Sequence, residues 1–226
     1  MDLELSGRVV LVAGGTGLIG RRVVERLRTE RATVIPASRH PEDGITMDAN
    51  DAESVTRAVA AVVEQHGRLD ALVVAAAPSA QTLDASRHAD PDQVLAAIDG
   101  KAMTFLRVAN AALPMMTGAG YGRIVGVSGQ NAFVTGNVTG SVRNAAMNVA
   151  AKNLADAVAG SGVTVNIVNP GMVSVSPSAD VAPGRGGESS PDQIADLIAF
   201  LLSPRTGAIS GESIAVGHRA RGAISL

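Results

Sequence analysis

Short branched apolar runs alternate along this chain with segments whose apolar residues recur at helical spacing. "RVVLVAGG" reads as a strand, and "IGRRVVERLRTE" follows it as a helix. "ATVIPAS" is strand-like and "DAESVTRAVAAVVEQHG" is an amphipathic helix opened by an acidic cap. "LDALVVAAA", "GRIVGVS", "VTVNIVNPG" and "GESIAV" supply further strands. Between them stand "PDQVLAAIDGKAMTFLRVANAALPMM", expected to be helical up to Pro114, "GSVRNAAMNVAAKNLADAV" and the capped "SPDQIADLIAFLLSP". Runs apolar on both faces belong to strands covered on both sides, and strand–helix alternation implies right-handed crossovers in a parallel sheet. The expected fold is therefore α/β: a Rossmann-type, doubly wound parallel sheet of seven strands flanked by helices, in a single domain spanning 1–226. The stretch at about 173–190 breaks the pattern with Gly, Ser and Pro and is expected to be a lid, because more sheet follows it.

Composition narrows the function classes. Hydrophobic residues make up 46% and aromatics 2%, so the core must be built from Ala, Val, Leu and Ile. A net charge of −2, scattered arginines and few aromatics argue against nucleic acid. The chain has no cysteine, which removes disulfides and thiolate chemistry. Its apolar runs fall short of the roughly 20 residues of a membrane span, and its acidic start lacks the layout of a signal peptide. A cytoplasmic protein with no membrane contact is expected. No His pair or acidic cluster has metal-ligand spacing, so no metal is expected.

The first strand ends in "AGGTGLIG", with Gly14, Gly17 and Gly20 at three-residue spacing before a helix. Glycines there let the backbone approach a pyrophosphate seated on the helix N-terminus, although a tight turn without a ligand reads similarly. At the end of the second strand Ser38 and Arg39 replace the acid that would accept from ribose hydroxyls; a cation beside a hydroxyl suits a 2′-phosphate, hence NADP(H). Asp48 suits an adenine contact or a helix cap.

"GGTGLIG", "LDALVVAAA", "AALPMM", "GRIVGVSG", "NAAMNVAAKNLA", "VTVNIVNPGMV" and "ISGESIAV" resemble, in order and interval, the short-chain dehydrogenase/reductase family over nearly the whole chain. The resemblance implies nicotinamide chemistry, with a cofactor set of Gly14, Thr16, Gly17, Leu18, Ile19, Ser38, Arg39, Asp48, Ala49, Ala75, Ala76, Pro170, Gly171 and Val173. It also implies a small-molecule substrate and a homodimer or homotetramer paired through two long helices, Asp92 to Leu113 and Ser141 to Ala159. The composition around the pocket suggests an apolar substrate.

The departures concern catalysis. The family's Tyr-x-x-x-Lys pair falls on Gly140 and Asn144 when counted back from "VTVNIVNPG"; counting forward gives Ser141 or Val142 for the tyrosine. None is a tyrosine. The usual serine falls on Ser128 or Gly129, and the helix asparagine of the proton relay falls on Lys101. Tyr121, the single tyrosine, precedes its strand and so belongs at the wrong end of the sheet. Lys152 belongs on the exterior. The catalytic candidates are Ser128, Lys101 and Asn144, with Gln130, Asn131, Asn169 and Ser174 as neutral hydrogen-bonders and His88 on a loop. Lys101 reads either as a buried amine able to exchange a proton or as a surface partner of Asp99. Two functions fit: an atypical NADP(H)-dependent oxidoreductase acting on a carbonyl–alcohol pair, or a nucleotide-binding or non-redox protein on the same scaffold.

Overall fold

The branched runs pair side by side in a computed structural model that describes residues 1–78 and 82–222. Strands β1 (Val9–Ala13), β2 (Thr33–Ser38), β3 (Ile45–Thr46), β4 (Ala71–Val74), β5 (Gly122–Val127), β6 (Val163–Pro170) and β9 (Ser213–Val216) form one parallel sheet in the order β3-β2-β1-β4-β5-β6-β9. Two short strands, β7 (Met172–Val173) and β8 (Glu188–Ser189), pair separately and close the loop that spans 174–187. The sheet matches the expected doubly wound architecture. Its order reverses between β1 and β4, the point at which such sheets open a crevice beyond the carboxyl ends of their strands.

Apolar side chains fill both faces. Leu11, Leu72, Ile124, Val165 and Ile167 pack under helices α2 (Ala52–His66), α4 (Thr104–Gly118) and α5 (Val138–Ala157). Val10, Val12, Val73, Val125 and Val168 pack under α1 (Leu18–Thr29) and α6 (Pro191–Leu202). Because side chains alternate along a strand, Ser128 and Asn169, which continue the Ile124 and Ile167 registers, face α5.

Two features depart from the helical reading. The segment expected to be one helix from Asp92 to Leu113 is α3 (Pro91–Ile98), then a π-helical turn (Asp99–Met103), then α4. The wider turn inserts a residue and leaves Gly100, Lys101 and Ala102 all buried. The helix also runs past Pro114 to Gly118 rather than stopping there. A proline inside a helix forfeits one hydrogen bond; three residues later Thr117 Oγ1 donates to the carbonyls of Leu113 and Pro114 and ties the last turn together. The helix expected at Ser141 to Ala159 begins earlier, at Val138, where the Asn137 side chain accepts from Gly140 N–H as its cap.

Candidate functional site

A cleft of about 580 Å³ lies over the β1–β4 reversal. It is lined at one end by Ser38, Arg39, Asp48 and Ala49, in the middle by Gly14, Thr16 and Gly17, and at the inner end by Ala75, Ala76, Pro78 and Gly100. The glycine turn is built for close approach. Gly14 has φ +81°, and a Cβ there would lie 2.6 Å from the Ala76 nitrogen; a Cβ at Gly20 would lie 2.1 Å from the Gly14 carbonyl. Gly17 is the N-cap residue of α1 and, unlike Asp51, Asp90, Asn137 and Ser190 at the starts of α2, α3, α5 and α6, offers no side-chain cap. The first-turn N–H groups of α1, including those of Leu18 and Ile19, are thus left for an anion. Leu18 itself points into a neighbouring hollow with Arg21, Val175 and Ser190.

At the outer end the Ser38 hydroxyl is buried and has no partner among the described residues, and Arg39 is exposed at the cleft wall. Asp43, on the following turn, pairs with Arg28. An orphaned hydroxyl beside a cation is the donor pair that a ribose phosphate would satisfy. Asp48 accepts from the Asn50 N–H and lines the cleft beside Ala49. Pro170, Gly171 and Val173 lie beyond the inner end, where a Cβ at Gly171 would collide with the Gly187 carbonyl of the loop at 2.1 Å. Asp48, Gly14, Ser38 and the alanines therefore share one cleft, whereas the Pro170–Val173 group does not line it. A dinucleotide fits the cleft's uncapped helix, its glycine floor and its orphaned Ser38 hydroxyl.

Behind Pro78 and Gly100 the three catalytic candidates meet. Lys101 is 7% exposed, and its Nζ donates to the Ser128 carbonyl at 3.1 Å. The expected surface pairing with Asp99 is not made: Asp99 points outward to Arg107, while the π-turn carries the lysine inward. The reason this carbonyl is free lies in β6. Ser128 N–H donates to Val168 O in the parallel ladder, so its carbonyl faces the nitrogen of residue 170, and Pro170 has no N–H to give. Lys101 takes the acceptor that the proline leaves open. Ser128 Oγ in turn donates to the carbonyl oxygen and the Oδ1 of Asn144, at 3.2 and 3.3 Å, and Asn144 Nδ2 donates to Gly140 O at 2.7 Å. Burial, and next the charge of Arg143, lower the Lys101 ammonium from its ordinary value to about 7.

Gly140 is buried against the Asn131 amide; a Cβ there would sit 2.9 Å from Asn131 Nδ2. Ser141 instead gives its hydroxyl to Val134 O, and Val142 is exposed. Asn169, laterally beside Ser128, is fully buried, and among the described residues neither of its amide atoms has a partner; Gln130 uses Nε2 on the Val216 and His218 carbonyls while its Oε1 has no partner among them. Ser174 Oγ accepts from the Ser176 N–H. His88 holds the start of α5, its carbonyl accepting from Thr139 N–H and Oγ1.

Tyr121 stands where expected, before β5 and far from the cleft, with the guanidinium groups of Arg8 and Arg123 over its ring at 4.4 and 4.5 Å. Lys152 is exterior and paired with Asp156. Among the described residues no group of His, Asp and Glu is placed to hold a metal ion, and no helix is long and apolar enough to cross a membrane.

One participant escaped the sequence reading. Arg143 is 5% exposed and donates to Pro78 O at 3.4 Å, with its Nε buried and unpartnered among the described residues. The signal was available: Gly140, Arg143, Met147, Ala151 and Ala155 recur at three- and four-residue steps, so a cation sits on the stripe α5 buries.

A family model described as enoyl-(acyl carrier protein) reductase matches residues 18–218. The 3-oxoacyl-(acyl-carrier-protein) reductase FabG of Vibrio cholerae is 27% identical over 249 residues, covering 95% of this chain and 97% of that protein. Short-chain reductase protein NovJ of Streptomyces niveus is 29% identical over 252 residues, covering 92% of each. Among solved structures, a double mutant of a Serratia marcescens short-chain dehydrogenase/reductase superposes with a TM-score of 0.80 at 25% identity, over 94% of this chain and 97% of that one.

Proposed function

The chain belongs to the short-chain dehydrogenase/reductase family, and within it we propose an NADP(H)-dependent oxidoreductase that interconverts a carbonyl and an alcohol, with Lys101 supplying the proton. When bound, the nicotinamide supplies the hydride. The rest is the work of this chain. Gly14, Gly17 and the α1 N-terminus hold the pyrophosphate, and Ser38 and Arg39 hold the 2′-phosphate. Ser128 and Asn144 orient the reacting oxygen by hydrogen bonding. Lys101 gives a proton from Nζ to that oxygen in reduction and takes one back in oxidation. The observation that carries this reading is the Lys101 Nζ lodged 3.1 Å from the Ser128 carbonyl in a site with no tyrosine. An amine lowered to about 7 is matched to proton exchange near neutrality. Compared with the family pattern, lysine and asparagine have changed places between the two helices: Lys101 stands at the asparagine's position and Asn144 at the lysine's.

The test is NADPH consumption with a panel of carbonyl compounds by wild type and Lys101→Met. Turnover should fall by about 10²–10⁴-fold in the variant, the ordinary contribution of a positioned acid. Unchanged turnover overturns the assignment. One observation favours a second reading, nucleotide binding without redox turnover: the Asn131 amide occupies the space that a side chain at position 140 would need. Tight NADPH binding with no hydride transfer to any carbonyl would select it.

A further inference from the structure

Two cations are buried side by side behind the inner wall of the cleft. Lys101 comes from the π-turn and Arg143 from α5, and each is less than a tenth exposed. Neither makes an ion pair among the described residues, and the acids of the helices packed around them are placed elsewhere. Asp90 binds Arg87, Asp99 binds Arg107, Asp156 binds Lys152, and Asp92 is exposed on the first turn of α3. Burying one charge without a counter-charge is costly, and burying two like charges together is more so, unless an anion joins them. Arg143 is under-used as well: among the described residues its one hydrogen bond is the long one to Pro78 O, and its Nε has no acceptor.

Neither group lines the cleft itself, but each adjoins a residue that does. Pro78, whose carbonyl Arg143 touches, and Gly100, the residue before Lys101, are both cleft-lining. We propose that Arg143 and Lys101 form a carboxylate site, so that the substrate is an oxo acid in the reducing direction and a hydroxy acid in the oxidising one. This differs from the apolar substrate that composition suggests, and it rests on the oxidoreductase reading above. The planar guanidinium, whose Nε is unpartnered among the described residues, takes the carboxylate in two parallel hydrogen bonds. The bound anion offsets the repulsion between guanidinium and ammonium, so Lys101 is held protonated while the substrate is present. In reduction the carbonyl carbon gains hydride from a reduced nicotinamide, and the carbonyl oxygen gains the proton of Lys101 Nζ. The products are a hydroxy acid, an oxidised nicotinamide and a neutral amine that recovers its proton from solvent. Arg143 binds and does not exchange protons.

The test needs no cofactor. Wild type is titrated at pH 6.5 with 2-oxobutanoate and with levulinate, with the methyl ester of each, and with inorganic phosphate, reading thermal stabilisation and calorimetric heat. One of the two acids should bind saturably and at least tenfold more tightly than its ester. Arg143→Gln should lose at least tenfold in that affinity, and Arg143→Lys should keep part of it. Should Arg143→Gln fail to fold by circular dichroism, the same titration of Lys101→Met decides, with a loss of comparable size expected. Equal affinity for acid and ester, undiminished binding in the variants, or tighter binding of phosphate than of either acid each overturns the carboxylate site. Because nicotinamide is absent, failure of the redox reading leaves this result untouched. Brisk NADPH-dependent reduction of neutral ketones without acid binding would refute the carboxylate site alone.

Discussion

Replacing Lys101 with methionine should stabilise the protein in mild acid, and the effect should fade or change sign in base. The amine's ordinary value of 10.5 falls to about 7 on folding, first through burial and second through Arg143. Below pH 7 the group is protonated in both folded and unfolded chains, and the folded state carries the full cost of the buried charge. Between about 7 and 10.5 the folded chain has released the proton while the unfolded chain still holds it, so stability rises with pH across that window. The whole window corresponds to roughly 5 kcal/mol. Methionine has similar length and no charge, so it removes this cost. It also leaves the Ser128 carbonyl with no donor, because Pro170 cannot supply one, at a cost of about 1–3 kcal/mol. The net expectation is a gain of roughly 2–4 kcal/mol at pH 6, and near pH 10 no gain or a loss of about 1–2 kcal/mol. Urea denaturation followed by circular dichroism at pH 6, 8 and 10 measures both proteins, with equal slopes required for the comparison. A difference independent of pH, or a variant less stable than wild type at pH 6, would refute the buried-ammonium picture.

Arg39→Ala should weaken NADPH binding roughly tenfold or more while leaving NADH binding unchanged, because one charge-assisted contact to the 2′-phosphate is worth about 1.5–3 kcal/mol; calorimetry with both nucleotides checks it. Pairing through α4 and α5 should give a dimer or tetramer by sedimentation at micromolar concentration, and Val149→Glu, on the exposed face of α5, should shift the population toward monomer.

The fold could be read from the sequence because it rests on repeated, local signals. "RVVLVA", "LDALVV", "GRIVGV" and "VTVNIV" are branched runs too apolar for any place but a covered parallel sheet. The glycine turn was equally readable in part: Gly20 is demanded by the Gly14 carbonyl within the same short motif, whereas the close approach at Gly14 is to the backbone of Ala75 and Ala76, far along the chain. The catalytic corner was less so. Lys101, Ser128 and Asn144 were named from their positions, yet the inward turn of Lys101 depends on a π-turn that no residue in "AIDGKAMT" announces. The lysine's hydrogen bond depends on Pro170, a residue 69 positions away that matters for the N–H it lacks. Arg143 was passed over because an arginine within "SVRNAAMN" reads as solvated until the buried stripe of α5 is traced residue by residue.

The pH profile of carbonyl reduction bears most directly on the claim that Lys101 is the proton donor. The free amine lies near 7, so kcat/KM for NADPH-dependent reduction should be level below about pH 6.5 and fall tenfold per pH unit above about 7.5, with the oxidation profile rising through the same midpoint. In Lys101→Met that break should vanish along with most of the rate, while NADPH affinity stays as in wild type. A reduction profile that stays flat from pH 6 to 9 in wild type, or a break near 7 that survives in the methionine variant, would contradict it.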